Sequence, residues 1–217
     1  MTMVNLAGSD IPVSTIYCIG RNYAAHAAEL NNQVESEPLV FLKPQASLLR
    51  DGSTITLPAY SNDVHHEVEV VMLIGRGGSD IPLEEALTHV AGYGVGLDLT
   101  ARDVQDVAKK KGHPWTKAKG FPGAACVSEL VAAKKIDNPM ALDFTLTINN
   151  ETRQRGDTGN MLFPFDELVS YLSRIYTLRS GDLIFTGTPE GVGPIYAGDR
   201  LILTLEGFVT AHFTVAG

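Results

Sequence analysis

Long apolar runs are missing from this chain. No stretch approaches the roughly 20 residues needed to cross a bilayer, so a membrane-spanning helix is not expected. Met1 to Asp10 lacks a basic start followed by an apolar stretch, so no secretory signal is expected there. Cysteine is scarce. The two present, Cys18 and Cys126, sit in apolar contexts and at no metal-ligand spacing. They are expected to be free, buried thiols of a cytoplasmic protein in a reducing compartment. Basic residues are short too: 17 Lys and Arg against 25 Asp and Glu give a net charge of −8. That excludes the basic footprint that nucleic acid requires. Repeats and low-complexity linkers are also absent. The chain does have 44% hydrophobic residues over 217 positions, enough for a sizeable core and too many for a disordered segment.

Residues 1–13 carry little pattern and read as an N-terminal lead-in to a single domain over residues 14–217. Strands are expected at Ile16–Ile19, Leu39–Leu42, Ile55–Leu57, around Glu67–Ile74, at Tyr93–Leu97, and in four later stretches beginning near Phe144, Leu183, Arg200 and Phe208. Helices are expected at Tyr23–Leu30, at Leu83–Val90 behind Asp80 and Pro82, from Thr100 to Lys111, and over Met161–Ile175 with an interruption near Pro164. Asp103 stands three residues after Thr100 in a near capping box, and Asn149-Asn150 marks a hairpin turn. The class is therefore α+β and β-rich, not alternating βαβ units.

The stretch His65-His66-Glu67-Val68-Glu69-Val70-Val71 holds the sharpest chemical signal. On a strand, Glu67 and Glu69 project to one side. Two crowded carboxylates resist joint burial, and a shared proton or a hard divalent cation resolves the conflict. Asp98 follows the apolar Val95-Gly96-Leu97 and offers a third carboxylate. The same pattern also fits two exposed glutamates and a helix-capping aspartate. His65 lies on the acids' side and fits a structural role or a ligand; His66 points away. His26 and Glu29, three apart, share a helix face and form a possible proton-transfer pair, or an ordinary surface pair. Gly20-Arg21-Asn22 and Asn31-Asn32 flank them, as in a mobile lid. Arg102 and Gln105 share a helix face just after Asp98. If Trp115 to Phe121 is extended, Lys117 and Lys119 fall on one side, and pattern alone does not choose between them. The loop Thr186 to Pro194 is glycine-rich and reads as a small-anion loop or a plain turn, and it matches neither a P-loop nor a dinucleotide fingerprint.

Six segments in order, GRNYAAHAAE, SEPLVFLKP, HHEVEVVMLIG, GYGVGLDLTARDVQ, PWTKAKGFPGA and FTGTPEGVGP, resemble the fumarylacetoacetate hydrolase family over about residues 14–215. The nearest likeness is to its short acylpyruvase and oxaloacetate decarboxylase branch. This resemblance implies a mixed β-sheet roll, a homodimer, and Mg²⁺ or Mn²⁺ on Glu67, Glu69 and Asp98. It implies His26 and Glu29 as a catalytic pair on a lid, Lys119 as the active-site lysine, and Gln105, Thr188 and Arg21 as substrate contacts. The implied reaction is C–C cleavage of 2-oxo or 2,4-dioxo acids, by acylpyruvate hydrolysis or oxaloacetate decarboxylation, with the pyruvate enolate stabilised by the metal. Two alternatives stand beside it: keto–enol tautomerisation of oxaloacetate or a hydroxymuconate-type dienol, and a non-catalytic oxo-acid binder.

Overall fold

The computed structural model describes residues 2–29 and 35–217. Its centre is an eight-stranded mixed sheet. Leu39–Lys43, Ile16–Gly20, Leu183–Phe185, Val68–Ile74, Val90–Asp98, Ala125–Val127 and Leu48–Arg50 lie side by side in that order, and Val131–Ala132 adds to Val90–Asp98. Leu183–Phe185 runs parallel to Ile16–Gly20 but antiparallel to Val68–Ile74. A five-stranded sheet orders Glu151–Asp157, Asp143–Ile148, Arg200–Leu205, Val209–Val215 and Thr54–Ile55. A small three-stranded sheet joins Thr100–Ala101, Val64–His66 and Gly193–Pro194. This is the expected β-rich α+β roll.

Every residue of Val68–Ile74 is buried, because both faces of the central sheet are covered. Val68, Val70, Met72 and Ile74 enter the larger core, and Val71 and Leu73 enter a second one on the opposite face. A continuous apolar run is what such a two-sided strand requires. Asn149 and Asn150 turn the 143–157 hairpin at positive φ, +50° and +67°, as a two-residue loop demands.

Several expectations change. Residues 3–12 form a hairpin, Met3–Leu6 against Ser9–Pro12, with Val4 buried. Leu83–His89 is a 3₁₀ helix that begins after Pro82, with no side-chain cap. Thr100 belongs to a short strand, and the helix is Arg102–Lys111 with Ala101 before it. Asp103 accepts instead from Ser61 Oγ at 2.6 Å and Asn62 N at 3.0 Å, tying the helix start to the preceding loop. Gly112 ends that helix in the left-handed region. The last helix, Phe165–Ile175, starts after Pro164 rather than running through it. Helix Ala24–Glu29 is as expected, whereas Leu30 and the Asn31-Asn32 flank of the expected lid lie outside the described residues. Among the described residues, no helix is long and apolar enough to cross a membrane.

Candidate active site

Glu67 occupies a one-residue break between strands Val64–His66 and Val68–Ile74. Sequence alternation alone gives one continuous strand; the structure divides it, so the chain changes sheets at this glutamate. Asp98 ends the neighbouring antiparallel strand, and its N–H donates to Glu67 O at 2.9 Å. Glu67, Glu69 and Asp98 each offer a carboxylate oxygen, and these oxygens lie within 4.8 Å of one another. All three residues are buried, at 5%, 1% and 1% exposure.

Three cations compensate them. Lys119 Nζ donates to Glu67 Oε2 at 2.7 Å and to Asp98 Oδ2 at 2.8 Å. Arg102 Nη2 reaches Glu67 Oε1 at 2.5 Å, and its Nη1 donates to Gln105 Oε1 at 2.7 Å. Lys43 Nζ lies 2.7 Å from Asp98 Oδ1 and also donates to the carbonyls of Leu99 and Lys119. The segment Thr116–Lys119 is a helical turn, not a strand, so Lys117 points to solvent and only Lys119 turns inward. That geometry settles what alternation left open. Burial by itself lowers the Lys119 pKa, but Asp98 and Glu67 outweigh it and raise it, so the ammonium stays charged. Burial likewise pushes Glu67 up, but Lys119 and Arg102 hold it well below the usual carboxylate range.

Glu69 differs. Burial, then repulsion from Asp98 and Glu67, push its carboxyl well above the usual range, against the Gly187 N–H that donates to it at 2.8 Å. Asp98 Oδ1 is buried and has no hydrogen-bond partner; it meets Lys43 Nζ as an ion pair at 2.7 Å. A cluster of hard oxygens with one carboxyl forced upward and another oxygen held by an ion pair alone fits a divalent cation. Glu67, Glu69 and Asp98 are the residues that could hold it.

A partly open cleft of about 410 Å³, its mouth included, lies over the acids. His26, Arg21, Gln105, Thr188 and Lys119 all line it. His26 Nδ1 stands 3.4 Å from Glu29 Oε2. Burial lowers the His26 pKa, with Glu67 and Glu29 opposing, which favours the neutral imidazole. Arg21 sits at φ +59° and pairs with Glu35. Glu29 itself is anchored: Gly191 N–H donates to both of its oxygens, at 3.1 and 3.2 Å. The glycine-rich loop therefore does aim N–H groups at carboxyl oxygens, but here they are the protein's own, on Glu69 and Glu29. Gly187 and Gly191 hold φ of +103° and +90°, and a Cβ would meet Asn22 Cβ at 2.6 Å and Arg153 O at 2.7 Å. Only glycine fits either position.

His65 pairs with Asp63 at 2.9 Å and meets Arg102 Nε at 3.5 Å, a supporting position beside the acids. His66 turns away and bonds Gln154 at 2.8 Å. Sequence reasoning missed Lys43, Gln154 and Asn22. Asn22 is fully buried; its Nδ2 donates to Thr186 O at 2.8 Å and Phe163 O at 3.0 Å, fixing the base of the His26 helix to the loop strand. The Leu-Lys-Pro end of an apolar strand was the one available sign for Lys43: the strand Leu39–Lys43 is half-buried to exposed until its last residue, and a buried lysine there needs a partner.

The family profile described as "Fumarylacetoacetate (FAA) hydrolase C-terminal" matches residues 15–216. The chain is 48% identical over 200 residues to mouse "Oxaloacetate tautomerase FAHD1, mitochondrial", covering 92% of this chain and 90% of that one. It is 42% identical over 199 residues to "Oxaloacetate tautomerase YcgM" of Escherichia coli, covering 91% of each. Among solved structures, fumarylpyruvate hydrolase from Pseudomonas aeruginosa in complex with Mn²⁺ and pyruvate superposes with a TM-score of 0.94 at 40% identity, covering 99% of this chain and 95% of that one. A 5-carboxymethyl-2-hydroxymuconate delta-isomerase from Mycobacterium smegmatis gives 0.84 at 37%, covering 95% and 80%. The fold, the order of the motifs and these likenesses make the chain a member of the fumarylacetoacetate hydrolase family of enzymes.

Proposed function

We propose that this protein is a divalent-metal-dependent enzyme of small 2-oxo acids, with keto–enol tautomerisation of an oxaloacetate-like dicarboxylate as its main reaction. The supporting observation is the charge of the buried cleft. Three acids, Glu67, Glu69 and Asp98, stand against three cations, Lys43, Lys119 and Arg102, whose ion pairs reach Glu67 and Asp98. A divalent ion on the acids would displace the proton that burial favours on Glu69 and leave two positive charges in excess, the complement of a dicarboxylate dianion. The names of the mouse and Escherichia coli relatives support oxaloacetate as that dianion.

Mg²⁺ or Mn²⁺ held by Glu67, Glu69 and Asp98 would supply Lewis-acid polarisation of the 2-oxo group, which acidifies the neighbouring C–H. The chain's own residues do the rest. Glu29 faces His26 Nδ1, so Nδ1 carries the proton and Nε2 is the basic atom. His26 Nε2 would take the C3 proton of the keto form, and a proton delivered to the former carbonyl oxygen would complete the enol, with no net gain or loss of protons. Lys119, held charged between two acids, positions and stabilises negative charge and does not act as a base. Arg102 occupies Gln105 Oε1, leaving the Gln105 amide hydrogens to donate to substrate. Thr188 and Arg21 line the cleft for the remaining carboxylate.

C–C hydrolysis is the second reading, supported by the likeness to the fumarylpyruvate hydrolase. There His26 would take a proton from water, the hydroxide would add to the distal carbonyl, the C–C bond to the pyruvyl carbon would break to release a carboxylic acid, and the proton would pass to that carbon to give pyruvate. One experiment separates the two: oxaloacetate and a panel of 2,4-dioxo acids are supplied, with products followed by NMR, before and after EDTA and after Mg²⁺ or Mn²⁺ is restored. Metal-dependent enol–keto conversion at conserved carbon count is expected. Faster release of pyruvate or CO₂ shifts the assignment to cleavage, and full activity after metal removal overturns both. We also propose residues 14–217 as the catalytic unit, working as a cytoplasmic homodimer, to be checked by light scattering and fractionation.

A further inference from the structure

Gln154 lies on the edge strand of the five-stranded sheet and is 2% exposed. It belongs neither to the acids nor to the His26 helix, yet it touches the surroundings of both ends of the site. Its Oε1 accepts from His66 Nδ1 at 2.8 Å and from the Val68 backbone N–H at 3.0 Å. Its Nε2 donates to Thr188 Oγ1 at 2.9 Å and to Pro189 O at 3.0 Å. The Val68 N–H can only donate and the Pro189 carbonyl can only accept, so the amide has a single orientation.

Two consequences follow from that orientation. The oxygen grips the residues on either side of Glu67, His66 and Val68, and thus fixes the strand break that aims this acid. Asp98 N–H holds the same break from the other side through Glu67 O. The amide nitrogen, meanwhile, makes Thr188 Oγ1 an acceptor, so the hydroxyl hydrogen of Thr188 is left to donate into the cleft. Gln154 also braces the loop whose Gly187 N–H reaches Glu69.

We infer that Gln154 is a positioning residue that holds Glu67 and the Thr188 hydroxyl in one register, so that a single side chain sets both metal affinity and substrate affinity. This rests on the metal-dependent function proposed above. The test uses the full chain, with Mn²⁺ binding by calorimetry, kcat and KM for oxaloacetate, and circular dichroism for the fold. Gln154→Met removes every hydrogen bond of this side chain, the longer one to Glu190 O at 3.5 Å included, and is expected to weaken Mn²⁺ binding at least tenfold and to raise KM. Gln154→Glu keeps the oxygen that accepts from His66 and Val68 and replaces the two-hydrogen amide by a carboxyl with at most one O–H, so Thr188 and Pro189 can no longer both accept from it. It is expected to hold Mn²⁺ within threefold of the parent protein while raising KM about tenfold, and Thr188→Val is expected to add little in that background. Mn²⁺ affinity and KM both within twofold of the parent in a folded Gln154→Met protein overturn the inference. If that variant does not fold, an unchanged KM in Gln154→Glu overturns it. A parent protein that binds no Mn²⁺ overturns the metal reading itself, together with this inference; normal parental binding with unchanged variants overturns this inference alone.

Discussion

Replacing Lys43 with methionine should make the protein less stable and yet a tighter metal binder. Lys43 is buried, 2.7 Å from Asp98 Oδ1, an oxygen with no hydrogen-bond donor. Without metal, Lys43→Met leaves part of a buried carboxylate uncompensated, which costs about 3–5 kcal/mol. For a chain of this length each kcal/mol moves Tm by roughly 2–4 °C, so a fall of roughly 6–20 °C is expected in EDTA. With saturating Mn²⁺ the ion's charge takes over at Asp98. The remaining loss is two hydrogen bonds, to the Leu99 and Lys119 carbonyls, at about 1 kcal/mol each. By linkage, the difference of about 1–3 kcal/mol must appear as roughly 5–150-fold tighter Mn²⁺ binding in the variant. Scanning calorimetry with and without Mn²⁺ gives the first quantity and titration calorimetry the second. An equal Tm shift in both conditions, or weaker Mn²⁺ binding, refutes the idea that Lys43 substitutes for part of the metal's charge.

Three further outcomes follow from the same geometry. Because burial lowers the His26 pKa, its neutral base form persists below the ordinary histidine value of 6.5; the acid limb of kcat/KM should fall below that pH, and an inflection at or above it counts against His26 as the base. His26→Ala should lower kcat by about 10²–10⁴ while oxalate binding to the Mn²⁺ form stays within threefold, a split that separates a catalytic from a structural histidine. Gly191→Ala forces a Cβ to 2.7 Å from Arg153 O at φ +90° and displaces the N–H that anchors Glu29. It should cost about 1–3 kcal/mol in urea denaturation and lower kcat more than it raises KM.

The acids were legible because alternation and burial leave few options for glutamates inside a Val-rich strand. The break at Glu67 was not, since both halves carry the same period. Lys119 and Lys117 differ only through the helical turn of Thr116–Lys119, a four-residue element too short for a periodic signal. Asp103 had the spacing of a capping box, but hydrogen bonds to Ser61 and Asn62 won the competition for its carboxylate. In the loop, glycine content pointed to exposed N–H groups but not to the anions they would meet.

The sequence by itself determined the β-rich class, the buried central strand, the turn at Asn149-Asn150 and the kinds of donor available: three acids, a His–Glu pair, buried-side cations. These depend on local period and residue chemistry, which a one-dimensional string carries. Tertiary structure alone decided how charge and hydrogen bonds are closed around the acids. Lys43 meets Asp98 across the central sheet, Gln154 reaches His66 from 88 residues away, and Gly187 reaches Glu69 from 118. A buried charge or amide takes whichever partner folding brings within about 3 Å, and sequence spacing does not encode that distance.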